Sequence, residues 1–266
     1  MTISTPPTRL TLDELGEGLG RAATVLRANA AAAGLEAPVP TCPEWSVRDL
    51  VAHIGMVHRW AASQLRSTPV EDADALEREG LASPDLLGWF DDGATALLQA
   101  IVDAPDDLDA FVFLREAPAP KVFWTRRQCH ETTIHAVDAL AARLGRAPRP
   151  EETWISPAIA LDGIDELLRG FVPRPKQGVS PEVATTVLVC PDDSDVAWLL
   201  DLAPDRPART ARIDRASERL PRGEHVLTGP PVGLYLRLWS RADPPTSEPA
   251  DGFERWWRST VTVTWR

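Results

Sequence analysis

The chain has 266 residues, 44% hydrophobic and 25% charged, with a formal net charge of -11, which is the composition of a folded protein with room for one large domain or two ordinary ones. The acidic balance argues against nucleic acid or an anionic membrane as a main partner. Nothing approaches 18 consecutive apolar residues, and "MTISTPPTRLTLDEL" lacks the basic and apolar regions of a secretion signal. Cys42, Cys129 and Cys190 form no CxxC pair, a scattered set that suggests reduced thiols and a cytoplasmic location. Arginine outnumbers lysine, and alanine and proline are frequent, a bias typical of a high-GC genome.

Along the chain, "LTLDELGEGLGRAATVLRANAAAAG" carries Leu12, Leu15, Leu19, Ala22, Ala23, Leu26 and Ala30 on one helical stripe that stops at Gly34. "APVPTCPEW" is a proline-rich connector. "SVRDLVAHIGMVHRWAASQL" then opens with Ser46 as N-cap and Asp49 three residues on, a capping-box pattern. A polar stretch over 67–82 leads to "SPDLLGWFDDGATALLQAIVDA", where Ser83 is the expected N-cap and Pro84 the first helical residue. A link containing "APAP" leads to a fourth helix over roughly 121–144, with Ile134, Val137, Leu140, Ala141 and Leu144 as its stripe. Four amphipathic helices predict a bundle.

"GRAPRPEET" (145–153) reads as a linker. Beyond it the pattern changes. "SPAIALDGIDELLRGFV" is a helix; "VATTVLVC", "DVAWLLDLA" and "RTARIDRA" are strand-like; "PPVGLYLRLWSR" is helical; and "FERWWRSTVTVTW" ends in an alternating run. The expected organisation is a helical bundle over 1–147 and a smaller α+β domain over 154–266, so the fold class is α+β.

Chemistry concentrates in "RQCHETTIHAVD" (127–138), which holds two of the five histidines. Glu131 and His135, four apart, share one helix face, whereas His130 points about 100° away from Glu131. A bundle can place such a pair in its core beside a ligand from a facing helix. The candidate is His53, at the edge of the stripe in "DLVAHIGMVH". Two imidazoles and one carboxylate with an open position is the donor set of catalytic zinc, and it also suits iron or nickel. By spacing alone, Glu-x3-His is more often a weak pair on an exposed helix, and a lone histidine such as His53 is more often a buried, hydrogen-bonded side chain than a ligand.

The segment "CPEWSVRDLVAHIG" (42–55) resembles the signature of the maleylpyruvate isomerase family of mycothiol-dependent enzymes, within the DinB-like superfamily. "RQCHETTIHAVD" is similar to that family's second motif, and "LTGPPVGLYLRLWSR" (227–241) to a segment of its C-terminal domain. Glu44 and Ser240 stand where the family pattern has glycine. The resemblance implies a DinB-like four-helix bundle followed by a smaller α/β (SCP2-like) domain. It implies His53, Glu131 and His135 as ligands of zinc or another divalent metal, and mycothiol, a thiol of actinobacteria, as cofactor. The implied activity is attack of a metal-held thiolate on a small electrophile, ending in thiol transfer or in cis–trans isomerisation of a maleylpyruvate-like acid. The catalytic cation expected to hold an acidic substrate is Arg241, for which a surface arginine after a helix is the alternative.

Further expectations concern the neighbours of this set. Asp138, one turn beyond His135, can accept its second ring N–H or lie in water. Arg127, one turn before Glu131, is expected to be solvated, with a pairing to Glu131 or a hold on a substrate carboxylate as the alternatives. Cys129 faces away from Glu131. Trp45 and Trp124 pack on the cofactor or in the core, and His58 and His130 are ordinary side chains. The expected partners are mycothiol and a small electrophile, with no nucleic acid or membrane, in a monomer or small homo-oligomer. The alternatives are a non-catalytic metal-binding or regulatory module on the same scaffold, or an enzyme using a different thiol.

Overall fold

The computed structural model describes residues 10–68, 72–114, 116–174, 179–242, 252–261 and 263. Helix α1 (Leu12–Ala33) begins at a reciprocal capping box between Thr11 and Glu14 and ends at Gly34, whose φ of 88° lets its N–H reach Ala30 O. Helix α2 (Val47–Leu65) starts at the Ser46–Asp49 capping box that its sequence predicts. Helix α5 (Pro120–Leu144) has proline in its first turn and stops at Gly145 in the left-handed region.

Two features differ from expectation. The polar stretch contains a short helix, α3 (Ala73–Ala82), in which Leu76 and Gly80 are buried. The next helix, α4 (Leu86–Asp103), is capped by Asp85 rather than Ser83, because the Asp85 carboxylate accepts the Gly88 N–H at 3.0 Å. Ser83 instead accepts the Asp85 N–H, so it braces the cap from one step upstream.

In the bundle α1 packs along α5 and α4, and α2 along α4 and α5, so α5 and α4 each touch both of the others. Helix α5 is enclosed on every side: all residues from Phe123 to Ala141 are buried, many of them polar. That is unusual for a bundle helix, whose outer face is ordinarily solvated. Leu10–Phe113 and Ala117–Pro148 form one compact unit, and the chain from Arg149 belongs to a second.

The second unit starts with α6 (Pro157–Asp165), capped by Ser156, which runs on into a wider π-type turn at Glu166–Phe171. The strands β1 (Thr185–Pro191), β2 (Val196–Ala203), β3 (Arg206–Asp214) and β4 (His225–Gly229) form a sheet in the order β3-β2-β1-β4. Neighbours are antiparallel except β1 and β4, which run parallel with Val189 opposite Leu227. Strand β4 is too short to register as a strand in the sequence. Helix α7 (Pro231–Leu238) follows, and α8 (Gly252–Thr260) takes the first half of the segment expected to end in an alternating run. That run falls largely outside the described residues. The architecture is α+β, and no helix among the described residues is long and apolar enough to cross a membrane.

Helix α3 is fixed by a ring from α4. A Cβ on Gly55 of α2 would lie 2.2 Å from the Trp89 ring, and one on Gly80 of α3 would lie 2.7 Å from it. The ring cannot swing aside freely, since its Nε1–H donates to Glu79 and the Arg59 guanidinium lies 3.7 Å from its centroid. Gly55→Ala is therefore expected to overpack this contact and cost about 1–3 kcal/mol, read as a lowered midpoint in denaturant unfolding of the full chain.

Candidate metal centre

Helices α2 and α5 bring His53, Glu131 and His135 together, with one ligand atom from each lying within 4.8 Å of the others. Glu131 Oε1 is 3.4 Å from His135 Nε2 and 3.7 Å from His53 Nε2. The side chains of His53, His135 and Glu131 are 15%, 10% and 5% exposed, so the cluster is largely buried, with His53 its most accessible member.

Each donor is held from behind. Arg127, expected to be solvated, is fully buried, and its Nη2 donates to Glu131 Oε2 at 2.5 Å. The correction follows from the enclosure of α5, which leaves no solvent for a side chain at that position. His135 Nδ1 lies 2.9 Å from Asp138 Oδ2. Asp138 is itself buried and also accepts from the Thr41 hydroxyl at 2.6 Å and the Cys42 thiol at 3.5 Å. A carboxylate accepts only, so this contact places a proton on His135 Nδ1 and leaves Nε2 as the nitrogen that faces Glu131. On the far side of His53, Nδ1 faces Glu77 Oε1 of α3 at 3.8 Å.

These surroundings set the charges. Burial pushes the Glu131 carboxyl up, but the Arg127 charge and the two imidazoles outweigh it and hold the group well below the usual carboxylate range. Burial disfavours the His53 imidazolium, but Glu131 and Glu77 on either side of the ring outweigh it and raise its pKa to about 9. The cluster thus attracts positive charge at its centre, and its N, O, N donors match what a divalent cation such as zinc takes from protein.

The connector before α2 forms one wall. Hydrogen bonds from Val39 N to Trp45 O and from Trp45 N to Cys42 O fold it tightly. Trp45 is placed at 5.6 Å and 21° from the His135 ring and 4.9 Å from the His53 ring. Thr41 and Glu77 went unnoticed in the sequence; Thr41 lies in a segment read as a link, and Glu77 in one read as polar loop. Trp124 is a core residue, its Nε1–H bonded to Phe111 O. His58 is fully buried at 2.9 Å from the Thr132 hydroxyl, and burial together with the Arg59 charge lowers its pKa to about 3. His130 and Cys129 are buried in α5, and Glu44 is exposed in the connector.

Arg241 lies in the second unit, just after α7. Its N–H bonds Leu236 O and the Ser240 N–H bonds Arg237 O, the paired bonds of a Schellman turn. The guanidinium donates to Trp239 O at 2.9 Å. Ser240 occupies the left-handed position of that turn with φ 61°, and its hydroxyl is buried without a hydrogen-bond partner among the described residues. The glycine expected there from the family pattern would relieve both penalties. Ser240→Gly should raise stability by about 1 kcal/mol, measured as an upward shift of the unfolding midpoint.

Residues 16–140 match the family model described as the mycothiol maleylpyruvate isomerase N-terminal domain. A crystal structure of the mycothiol-dependent maleylpyruvate isomerase is similar at 16% identity and a TM-score of 0.61, with 90% of this chain and 92% of that chain covered. The structure of a histidine-to-alanine mutant of that enzyme is similar at 15% identity with the same TM-score and coverage. At this identity the likeness concerns the fold. A search of curated protein sequences finds no match.

Proposed function

We propose, on the premise that residues 16–140 are a domain of the mycothiol maleylpyruvate isomerase N-terminal family, that this chain is a divalent-metal-dependent enzyme using mycothiol against a small electrophilic acid. The observation that carries the reading is the convergence of His53, Glu131 and His135 from two helices far apart in sequence. No cysteine belongs to that donor set, which favours a catalytic site over a closed structural one. Zinc held by these three residues would supply a redox-inert Lewis acid beside which a thiol loses its proton at neutral pH.

The chain's own residues prepare that position. Arg127 neutralises Glu131 and fixes its orientation through Oε2, leaving Oε1 directed toward the two imidazoles. Asp138 holds the proton of His135 on Nδ1, and Thr41 holds Asp138. Trp45 stacks on the His135 ring and lies tilted against the His53 ring, which limits the water that reaches them. Arg241 is the proposed cation for a substrate carboxylate or a developing enolate; its guanidinium is tethered by a rigid turn. The reaction class is thiol addition to an electrophilic carbon, ending either in elimination with cis–trans isomerisation or in thiol transfer. A cytoplasmic setting agrees with the absence of any disulfide among the three cysteines.

The test pairs elemental analysis with a mycothiol-conjugation assay on a generic electrophile and on a maleyl acid. The wild-type protein is expected to hold one metal ion and to turn over one of the two. His53→Ala should lose the ion and the activity together. A wild-type protein that holds metal but leaves mycothiol unreacted would contradict the enzyme reading and favour a metal-binding module. Activity retained in His53→Ala would refute the ligand assignment.

A further inference from the structure

Each imidazole of the cluster has one nitrogen toward Glu131 and its other nitrogen toward a second carboxylate. For His135 that second group is Asp138, at 2.9 Å. For His53 it is Glu77, at 3.8 Å from Nδ1, while Nε2 faces Glu131 at 3.7 Å. We propose that Glu77 of α3 is a positioning residue that holds the Nδ1–H edge of His53 and so aims Nε2 into the cluster. This rests on the metal-site reading above and extends it to a helix that neither the spacing of the ligands nor their motifs include.

The geometry separates this role from that of a fourth ligand. Glu77 stands on the opposite edge of the ring from Glu131, so an ion at the shared centre has the His53 ring between itself and Glu77. The distance of 3.8 Å is ion-pair reach and longer than a hydrogen bond. The carboxylate is also 29% exposed, whereas that of Asp138 is wholly buried. Solvent screening therefore makes its hold on His53 weaker than the hold of Asp138 on His135.

Glu77 is not placed there by a loosely attached helix. Gly80, one turn after Glu77, lies against the six-membered ring of Trp89, and Gly55, two residues after His53, lies against the same ring. The one indole thus sets the separation of α2 and α3 beside the site. Glu79 bonds the indole N–H at 2.9 Å, and Arg59 donates to Trp89 O at 2.7 Å, which hold the ring against both glycines. A helix with only Leu76 and Gly80 buried would otherwise have little to fix it. Its docking to α2 has a direct consequence, the presentation of a carboxylate to a candidate ligand.

The experiment is a competition titration of Zn(II) and Co(II) against a chromophoric chelator, using the full-length wild type, Glu77→Ala, Glu77→Gln and Asp138→Ala. The unfolding midpoint of each metal-free form is measured alongside. Loss of an outer partner of a ligating histidine costs about 10–100-fold in metal affinity. Glu77→Ala should fall at the lower end, roughly tenfold, with a shifted Co(II) absorption spectrum and an unchanged metal-free midpoint. Glu77→Gln, which keeps the side chain's size and removes its charge, should lose about as much as Glu77→Ala, because the contact is an ion pair rather than a hydrogen bond, and Asp138→Ala should lose more than either. Wild-type affinity and spectrum in Glu77→Ala would overturn the proposal while leaving the metal site intact. A metal-free midpoint lowered in both Glu77 variants, or wild-type affinity in Glu77→Gln beside a loss in Glu77→Ala, would overturn it in favour of a purely structural role. A wild-type protein that takes up no ion would overturn the metal-site reading itself, and this inference with it.

Discussion

The structure depends on a buried carboxylate that cannot stand alone. Glu131 sits inside the bundle, and an isolated carboxylate there would cost several kcal/mol. Arg127 answers that cost on one oxygen. The other oxygen is left to two imidazoles. Removing Arg127 would take from Glu131 the buried cation beside it, and removing Glu131 would take from Arg127 the carboxylate it donates to. The pair is therefore a structural commitment as well as a chemical one. Other polar groups of α5 find partners in the bundle, Thr132 at His58 and Thr125 at the Lys121 carbonyl, whereas both amide atoms of Gln128 are buried with no hydrogen bond among the described residues.

Around that centre the fold builds a second layer from elements that contribute no ligand. The connector supplies Thr41 to Asp138 and Trp45 to the ring faces. Helix α3 supplies Glu77. On the proposed reading, this layer selects which nitrogen of each histidine donates, since a ring whose proton is held at Nδ1 presents its lone pair at Nε2. The bundle sets the distances, and the short segments between its helices set the orientations.

How far the sequence reveals this varies with the kind of signal. The starts of α1 and α2 and the stops at Gly34 and Gly145 follow from local rules of capping and backbone freedom, and of these the Ser46–Asp49 box and the stop at Gly34 are legible before any fold is known. Helix α3 is not, because its ten residues carry too few apolar side chains to make a stripe and its anchor is an indole from α4. Strand β4 is five residues long and is defined by parallel pairing with β1, a long-range contact that leaves no mark of alternation. The burial of Arg127 is hidden for a related reason. A helix wheel shows which residues share a face, and cannot show that every face of α5 is covered. For the site, the Glu131–His135 spacing is common on solvated helices, so His53 joins them in the sequence through the motif it belongs to rather than through spacing.

X-ray absorption at the zinc edge of the reconstituted full-length protein, with and without mycothiol, bears most directly on the central claim. The account predicts a first shell of two imidazole nitrogens and carboxylate or water oxygen, without sulfur, in the free protein, and one added sulfur when mycothiol is present. A sulfur-free spectrum that mycothiol leaves unchanged, or a shell without imidazole, would contradict it.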